Sequence, residues 1–226
     1  MTEVQPRAMQ ARAKATRAKI MSAAGRNFEI YGYEGTSVDV ICEEAGVGKG
    51  SLYFHFENKE GLARAILVET LSMEWLTSHA LKLQEIFDTG MILAYRIIRE
   101  PAIRAALRLS LTYSAPSTYG TPWPDWVKVN TAQLDAAKGS GEIAADVDTV
   151  AIAYQISGSW AGIMLVTHAV HGDISDVEPK IALLYRNLFL AIAHPRYLTQ
   201  LDLAPDRGER LFTAHLANTN DHAETV

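Results

Sequence analysis

The chain has 226 residues, 48% hydrophobic and 21% charged, with Cys42 as its only cysteine. That composition suits a globular chain with a sizeable core, and one cysteine excludes both an internal disulfide and a cysteine-built zinc cluster. The net charge of −5 speaks against a nucleic-acid binder, but residues 1–26 hold six basic side chains (Arg7, Arg12, Lys14, Arg17, Lys19, Arg26) against one acid, Glu3, so a basic arm precedes an acidic body.

In chain order the reading is helical nearly throughout, with no internal repeat and no low-complexity segment. A first helix is expected over about 10–31, with Ile20, Ala24, Phe28 and Tyr31 as one apolar stripe. Gly32 stops it, since glycine accepts the left-handed backbone. Thr36 is read as the cap of a second helix, with Asp39 completing a capping-box-like pair and Val38, Ile41, Cys42 and Ala45 facing the core. Gly46 ends that helix, a short turn follows, and a third begins near Gly48 or Lys49. Helix, short glycine-containing turn, helix is the layout of a helix-turn-helix. Asn58 caps a fourth helix over about 58–80, with Leu62, Ala65, Ile66, Leu71 and Trp75 as its apolar positions; it is expected to bridge head and body. Further helices are placed near 84–99, 102–115, 123–138, 147–171 and 178–193, with a short one near 206–217. Pro101, the loop from Pro116 to Pro124 and Gly139-Ser140-Gly141 separate them. The fold class is therefore all-α: a three-helix head, 1–56, and a larger helical body, 57–226.

The chemistry concentrates in Gly48 to Lys59. A helix N-terminus offers free N–H groups and a positive dipole end to a phosphate, and Lys49 adds a point charge beside it. The Ser51 and Tyr53 hydroxyls bond phosphate oxygens or base edges, and the Tyr53 ring can lie against a thymine methyl. His55 donates to a phosphate and Lys59 reaches the DNA backbone. Leu52 and Phe56, at i and i+4, anchor the helix, and Phe54 is assigned to the core with Phe56. Such a helix, polar and aromatic on one side and apolar on the other, fits a major groove. For Tyr53 and His55 the alternative is a short amphipathic helix whose aromatic side chains are all core.

The run Gly46-Val47-Gly48-Lys49-Gly50-Ser51-Leu52-Tyr53-Phe54-His55-Phe56-Glu57-Asn58-Lys59-Glu60-Gly61-Leu62, with Gly32-Tyr33-Glu34-Gly35-Thr36-Ser37-Val38 before it, resembles the signature of the TetR family of transcriptional repressors. The resemblance covers about 50 residues. It implies a homodimer on a pseudo-palindromic double-stranded operator, with DNA contacts at Thr36, Ser37, Lys49, Ser51, Tyr53, His55 and Lys59. Gly48 departs from the family, in which Ser or Thr is common at that place. The run from Leu52 to Ile66, together with Pro101-Ala102-Ile103-Arg104-Ala105-Ala106-Leu107-Arg108-Leu109, is similar to the γ-butyrolactone receptor subgroup, whose members take a small signalling molecule in the body and control antibiotic production. That similarity places Trp126, after Pro122-Trp123-Pro124-Asp125, in the ligand pocket.

Trp126, Asn130 and Gln133 share one helix face, with Val129 and Leu134 beside them. Tyr154, Ser157 and Ala161 do the same on the longest helix, and Tyr95 and Thr112 are further pocket candidates. An apolar site with a few placed hydrogen-bonding groups suits a butyrolactone, butenolide or furan, although such residues also serve as satisfied core polar groups. Trp160, Ile163, Met164 and Val170 are read as core or dimer interface. The pair His168 and His171 has no third ligand type beside it, so no metal is expected, nor any cofactor. No Ser/His/Asp order, nucleophile elbow or spaced carboxylate pair supports an enzyme. A regulator answering to an antibiotic or its intermediate, or to no small ligand, stays open. With no apolar run of about 18 residues and no signal-peptide pattern, a cytoplasmic protein without a membrane contact is expected.

Overall fold

The structure, a computed structural model, describes residues 4–70, 79–112 and 114–223. Among these residues there are twelve helices and no strand; one isolated bridge joins Ile143 to Ala193. Two compact units result. One comprises Met1–Ser72 and Glu100–Pro122, the other Met73–Arg99 and Trp123–Val226.

In the first unit, α1 (Val4–Gly35) is followed by α2 (Val38–Ala45), α3 (Lys49–Phe56) and α4 (Lys59–Thr70). After an excursion into the other unit, α6 (Pro101–Ser110) and the short α7 (Ala115–Thr118) complete it. Ile20, Ala23, Ala24 and Phe28 on α1 are fully buried and meet Ile41, Leu52, Leu62 and Ile66 from the next three helices. Burying each of the larger side chains stabilises the unit by about 1.5–3 kcal/mol. Tyr31 does not continue the stripe: it is exposed, and Tyr33 is buried in its place. Gly32, with φ of 72° and ψ of 179°, breaks the helical rotation directly after Tyr31, so Tyr33 beyond it no longer follows the 3.6-residue period and turns inward.

The cap of α2 is Ser37, not Thr36. The Ser37 Oγ accepts from the Val40 N–H at 3.3 Å, while the buried Thr36 hydroxyl donates to the Gly32 carbonyl at 2.8 Å. Asp39 accordingly sits one position earlier in the helix than a capping box requires. Gly46 ends α2 in the left-handed conformation, as expected. Asn58 Oδ1 accepts from the Gly61 N–H at 2.7 Å, a capping bond at the start of α4. Leu71, Trp75 and the bridging part of the fourth helix lie outside the described residues. Helix α6 packs along α1 and α4, and its Ala105, Ala106 and Leu109 join the same core, as do Ala115 and Tyr119 beyond it. This compact unit thus extends well past residue 56.

In the second unit α5 (Lys82–Arg99) is central, packed by α8 (Trp123–Gly139), α10 (Val177–Ile192) and α12 (Arg207–Ala223). The longest helix, α9 (Thr149–His171), packs on α8 and α10, and α11 (Pro195–Leu198) is a single turn. The N-terminus of α5 is capped from a distance: the buried Glu142 carboxylate accepts from the Lys82 and Leu83 N–H groups, both at 2.8 Å. Asp148 caps α9 and Gly172 closes it with φ of 80°. At Gly90 an added methyl would collide with the buried Tyr185 ring, so this glycine lets α5 and α10 approach closely. The last helix is tied to α5 by Arg207, which donates twice to the buried Asp88 carboxylate at 2.8 Å, with Gln84 and Asp202 in the same network.

Candidate DNA interface and ligand site

Eight residues make α3, just over two turns, and they divide as an amphipathic helix should. Leu52 and Phe56 are buried; Lys49, Gly50, Tyr53 and Phe54 are exposed; Ser51 and His55 are half-buried. Phe54 is a correction to the sequence reading, for it is 80% exposed rather than part of the core. Its position two residues from both Leu52 and Phe56 places it about 200° round the helix from each, a signal that the wheel carries but that hydrophobicity hides. An exposed aromatic ring beside Tyr53 gives this face two flat apolar surfaces.

Polar groups surround them. Ser37 is exposed at the start of α2, next to the helix's free N–H groups. The Lys49 ammonium is 2.6 Å from the Asp39 carboxylate, both exposed, and that hydrogen bond pushes the Lys49 pKa up. Lys59 donates to the carbonyls of Tyr33 at 2.9 Å and Thr36 at 3.1 Å and lies 4.1 Å over the Tyr33 ring. It therefore closes the exposed end of α1 while sitting at the first residue of α4. Thr36, buried and bonded to Gly32, presents no free hydroxyl. Burial, and then the nearby Glu60 and Glu34 carboxylates, push Tyr33 up to about 12.

The turn joining α3 to α4 is unusual. Glu57 has φ of 63° and ψ of −48°, and the Asn58 N–H donates to the Phe56 carbonyl at 2.6 Å. Together these define a γ-turn with positive φ at a non-glycine residue, a strained conformation.

A helix-turn-helix with this signature matches the model of bacterial regulatory proteins of the tetR family over residues 20–66. The A-factor receptor protein of Streptomyces griseus is 34% identical over 197 residues, which is 86% of this chain and 70% of that protein. The chain belongs to the TetR family. Among solved structures, the TetR regulator TylP of Streptomyces fradiae superposes with a TM-score of 0.81 at 29% identity, covering 90% of this chain and 98% of that one. A γ-butyrolactone receptor described as ArpA-like reaches 0.66 at 27% identity, covering 88% and 98%. This TetR-family chain is thus matched along nearly its whole length, and its three-helix head and helical body are those of a DNA-binding transcription regulator.

In the second unit of the TetR-family chain, α8 holds Trp126 and Gln133 half-buried and Asn130 buried. The Gln133 Oε1 is itself buried and has no hydrogen-bond partner among the described residues, and the same is true of Ser157 Oγ on α9. Tyr154, by contrast, is 65% exposed, although it is only one turn from the buried Ser157. The Tyr95 ring packs against Phe212 of α12 at 5.3 Å, with the Arg99 guanidinium 3.7 Å over it, so it belongs to the seat of the last helix. Thr112 lies in the first unit, where its hydroxyl donates to the Arg108 carbonyl at 3.2 Å. Trp160 and Met164 are core, Ile163 is half-buried and Val170 is exposed. No group of three or more His, Cys, Asp or Glu side chains suited to a metal ion occurs among the described residues.

Exposed apolar side chains concentrate on two adjoining helices: Val150, Tyr154, Leu165, Val166 and Val170 on α9, and Leu183 and Leu190 on α10.

Proposed function

We propose that this TetR-type repressor occupies a pseudo-palindromic operator as a homodimer in the cytoplasm and is released by a small signal of the γ-butyrolactone, butenolide or furan class, so controlling antibiotic production. A-factor receptor and γ-butyrolactone receptor are the names of the relatives that suggest the class. The reading includes no enzymatic step.

On the DNA side, Ser37, Lys49, Ser51, Tyr53, His55 and Lys59 contact the duplex and Phe54 joins them, while Thr36 positions the start of α2. The observation that carries the ligand side is the pair of buried, unpartnered atoms, Gln133 Oε1 on α8 and Ser157 Oγ on the adjoining α9. Leaving a buried polar atom unsatisfied costs about 1–3 kcal/mol. A ligand with a polar head recovers that cost, and the Trp126 indole supplies apolar surface to the rest of it. Release follows only if the ligand binds the freed form more tightly than the DNA-bound form.

The test uses a duplex selected by the chain from a random-sequence library. Wild-type protein binds it and leaves it when a synthetic alkyl γ-butyrolactone, or organic extract of the producing culture, is added. Trp126→Ala and Gln133→Leu keep the DNA affinity and lose the response. A full response in both variants refutes the pocket, and release by antibiotics alone assigns the ligand to that class instead.

A further inference from the structure

The 16 residues of α1 from Val4 to Lys19 lie ahead of Ile20, which is fully buried. From Met9 to Lys19 no side chain is buried. At 1.5 Å per residue the 16 form a helical rod about 24 Å long. It is rich in alanine, the best helix former, which lets it hold a helix without an apolar face to bury. No acidic residue occurs between Val4 and Phe28, so nothing along the rod neutralises its cations from within.

Those cations are differently placed. Arg17 and Arg26 are used inside the unit, by Glu69 and Glu44 respectively. Arg12, Lys14 and Lys19 are exposed and make no ion pair or hydrogen bond among the described residues. Arg12 and Lys19 are seven residues apart, two helical turns, on the same edge of α1. The position of the rod relative to the recognition helix is set by Arg17, whose guanidinium lies 4.9 Å over the ring of Phe56, the last residue of α3. Lys14 and Arg12 lie three and five residues farther out along the same helix, about 5 to 8 Å beyond that contact.

We infer that the N-terminal half of α1 is a second DNA-binding element, in which Arg12, Lys14 and Lys19 neutralise phosphates flanking those engaged by α3. Unpaired cations on an exposed helix, Arg12 and Lys19 on one edge and Lys14 about 200° round from Arg12, match a polyanionic backbone by charge, an attraction that does not depend on base sequence. It supplies positive charge to the DNA-binding unit of a protein whose remaining 200 residues are net negative. The inference rests on the operator-binding reading, which wild-type binding to the selected duplex tests by itself.

The experiment compares wild-type protein with Arg12→Gln/Lys14→Gln/Lys19→Gln, glutamine being a comparable helix former. Affinity is measured across a salt series for the selected duplex and for a scrambled one. Each lost phosphate contact reduces the slope of log K against log salt by about 0.9, so three per protomer make the dimer's slope shallower by about 5, and partial engagement by about 2. Affinity falls by the same factor on both duplexes, circular dichroism is unchanged, and ligand release persists. An unchanged slope overturns the inference, and so does a loss confined to the selected duplex, which would make these side chains base readers. Binding of phosphatidylserine vesicles by wild type but not by the variant, with equal DNA slopes, assigns the rod to membranes and also overturns it.

Discussion

At the residue scale, the recognition face depends on which side chains the short helix α3 spares from the core. Leu52 and Phe56 are where an i, i+4 pattern puts them, and that pair was legible from spacing alone. Phe54 was not, because hydrophobicity argues for burial while the helical angle argues for exposure, and in a helix of eight residues the angle decides. Tyr53→Ala is expected to weaken operator binding by roughly 1–3 kcal/mol. Phe54→Ser is expected to weaken it as well, yet to leave the thermal midpoint unchanged or raise it, since an 80% exposed ring contributes little to the core. Anisotropy titration and thermal unfolding on the same samples separate the two effects; a Phe54 variant that unfolds early but binds normally would place the ring in the core after all. Thr36 illustrates a different limit. Thr and Ser are equivalent caps by composition, and only the break at Gly32 decides that Ser37 takes the role and Thr36 turns back to a carbonyl.

At the scale of elements, every helix longer than one turn was visible from periodicity and breakers, with one end of α1, α6 and α12 lying five or six residues away from the expected bound and the single turns α7 and α11 unmarked. What periodicity does not show is how ends are finished. Glu142 capping α5 across 59 and 60 residues of sequence is one case, and the Arg207–Asp88 pairing that seats α12 is another. Both join residues distant in sequence, so no local pattern marks them. The γ-turn at Glu57 is a third. Glycine there relieves the positive φ, and Glu57→Gly is expected to raise the unfolding free energy by about 1 kcal/mol, measured by urea denaturation; a destabilised variant would show that the carboxylate or its packing matters more than the backbone. The α12 seat predicts a pH response. Burial alone would raise Asp202, but hydrogen bonds from Arg210, the Ala204 N–H and Arg207 outweigh it and its pKa is lowered. A carboxylate lowered on folding stabilises above its unfolded pKa and loses that contribution as pH falls through the folded value. Protection of the α12 amides, taken relative to their intrinsic exchange rate, should therefore fall below about pH 4 and should lose that acid dependence in Asp202→Asn.

At the scale of the whole molecule, the sequence divides by charge and the structure by packing, and the two divisions differ. The apolar face of α9 and α10 has no partner among the described residues of one chain, and a second copy is the occupant that fits the homodimer proposed above. Leu165→Glu together with Leu190→Glu is expected to convert a sedimenting dimer to monomer and to abolish operator binding while each chain stays folded; a dimer that survives both changes would move the interface elsewhere. Sequence alone marked α9 as apolar but not which of its faces is spare, because the buried and exposed sides carry similar residues.

The interruption of the first unit also bears on how such regulators can be recombined. Ala105, Ala106, Leu109 and Tyr119 come from beyond residue 100 yet fill the same core as Phe28 and Leu52, and Arg108 donates to the carbonyls of Glu29 and Ile30 at the end of α1. A chimera that transplants only residues 1–72 onto a foreign sensor inherits neither. Grafting the operator specificity of this protein therefore calls for a split donor, 1–72 with 100–122, and single-crossover exchange yields a reader with half its foundation missing.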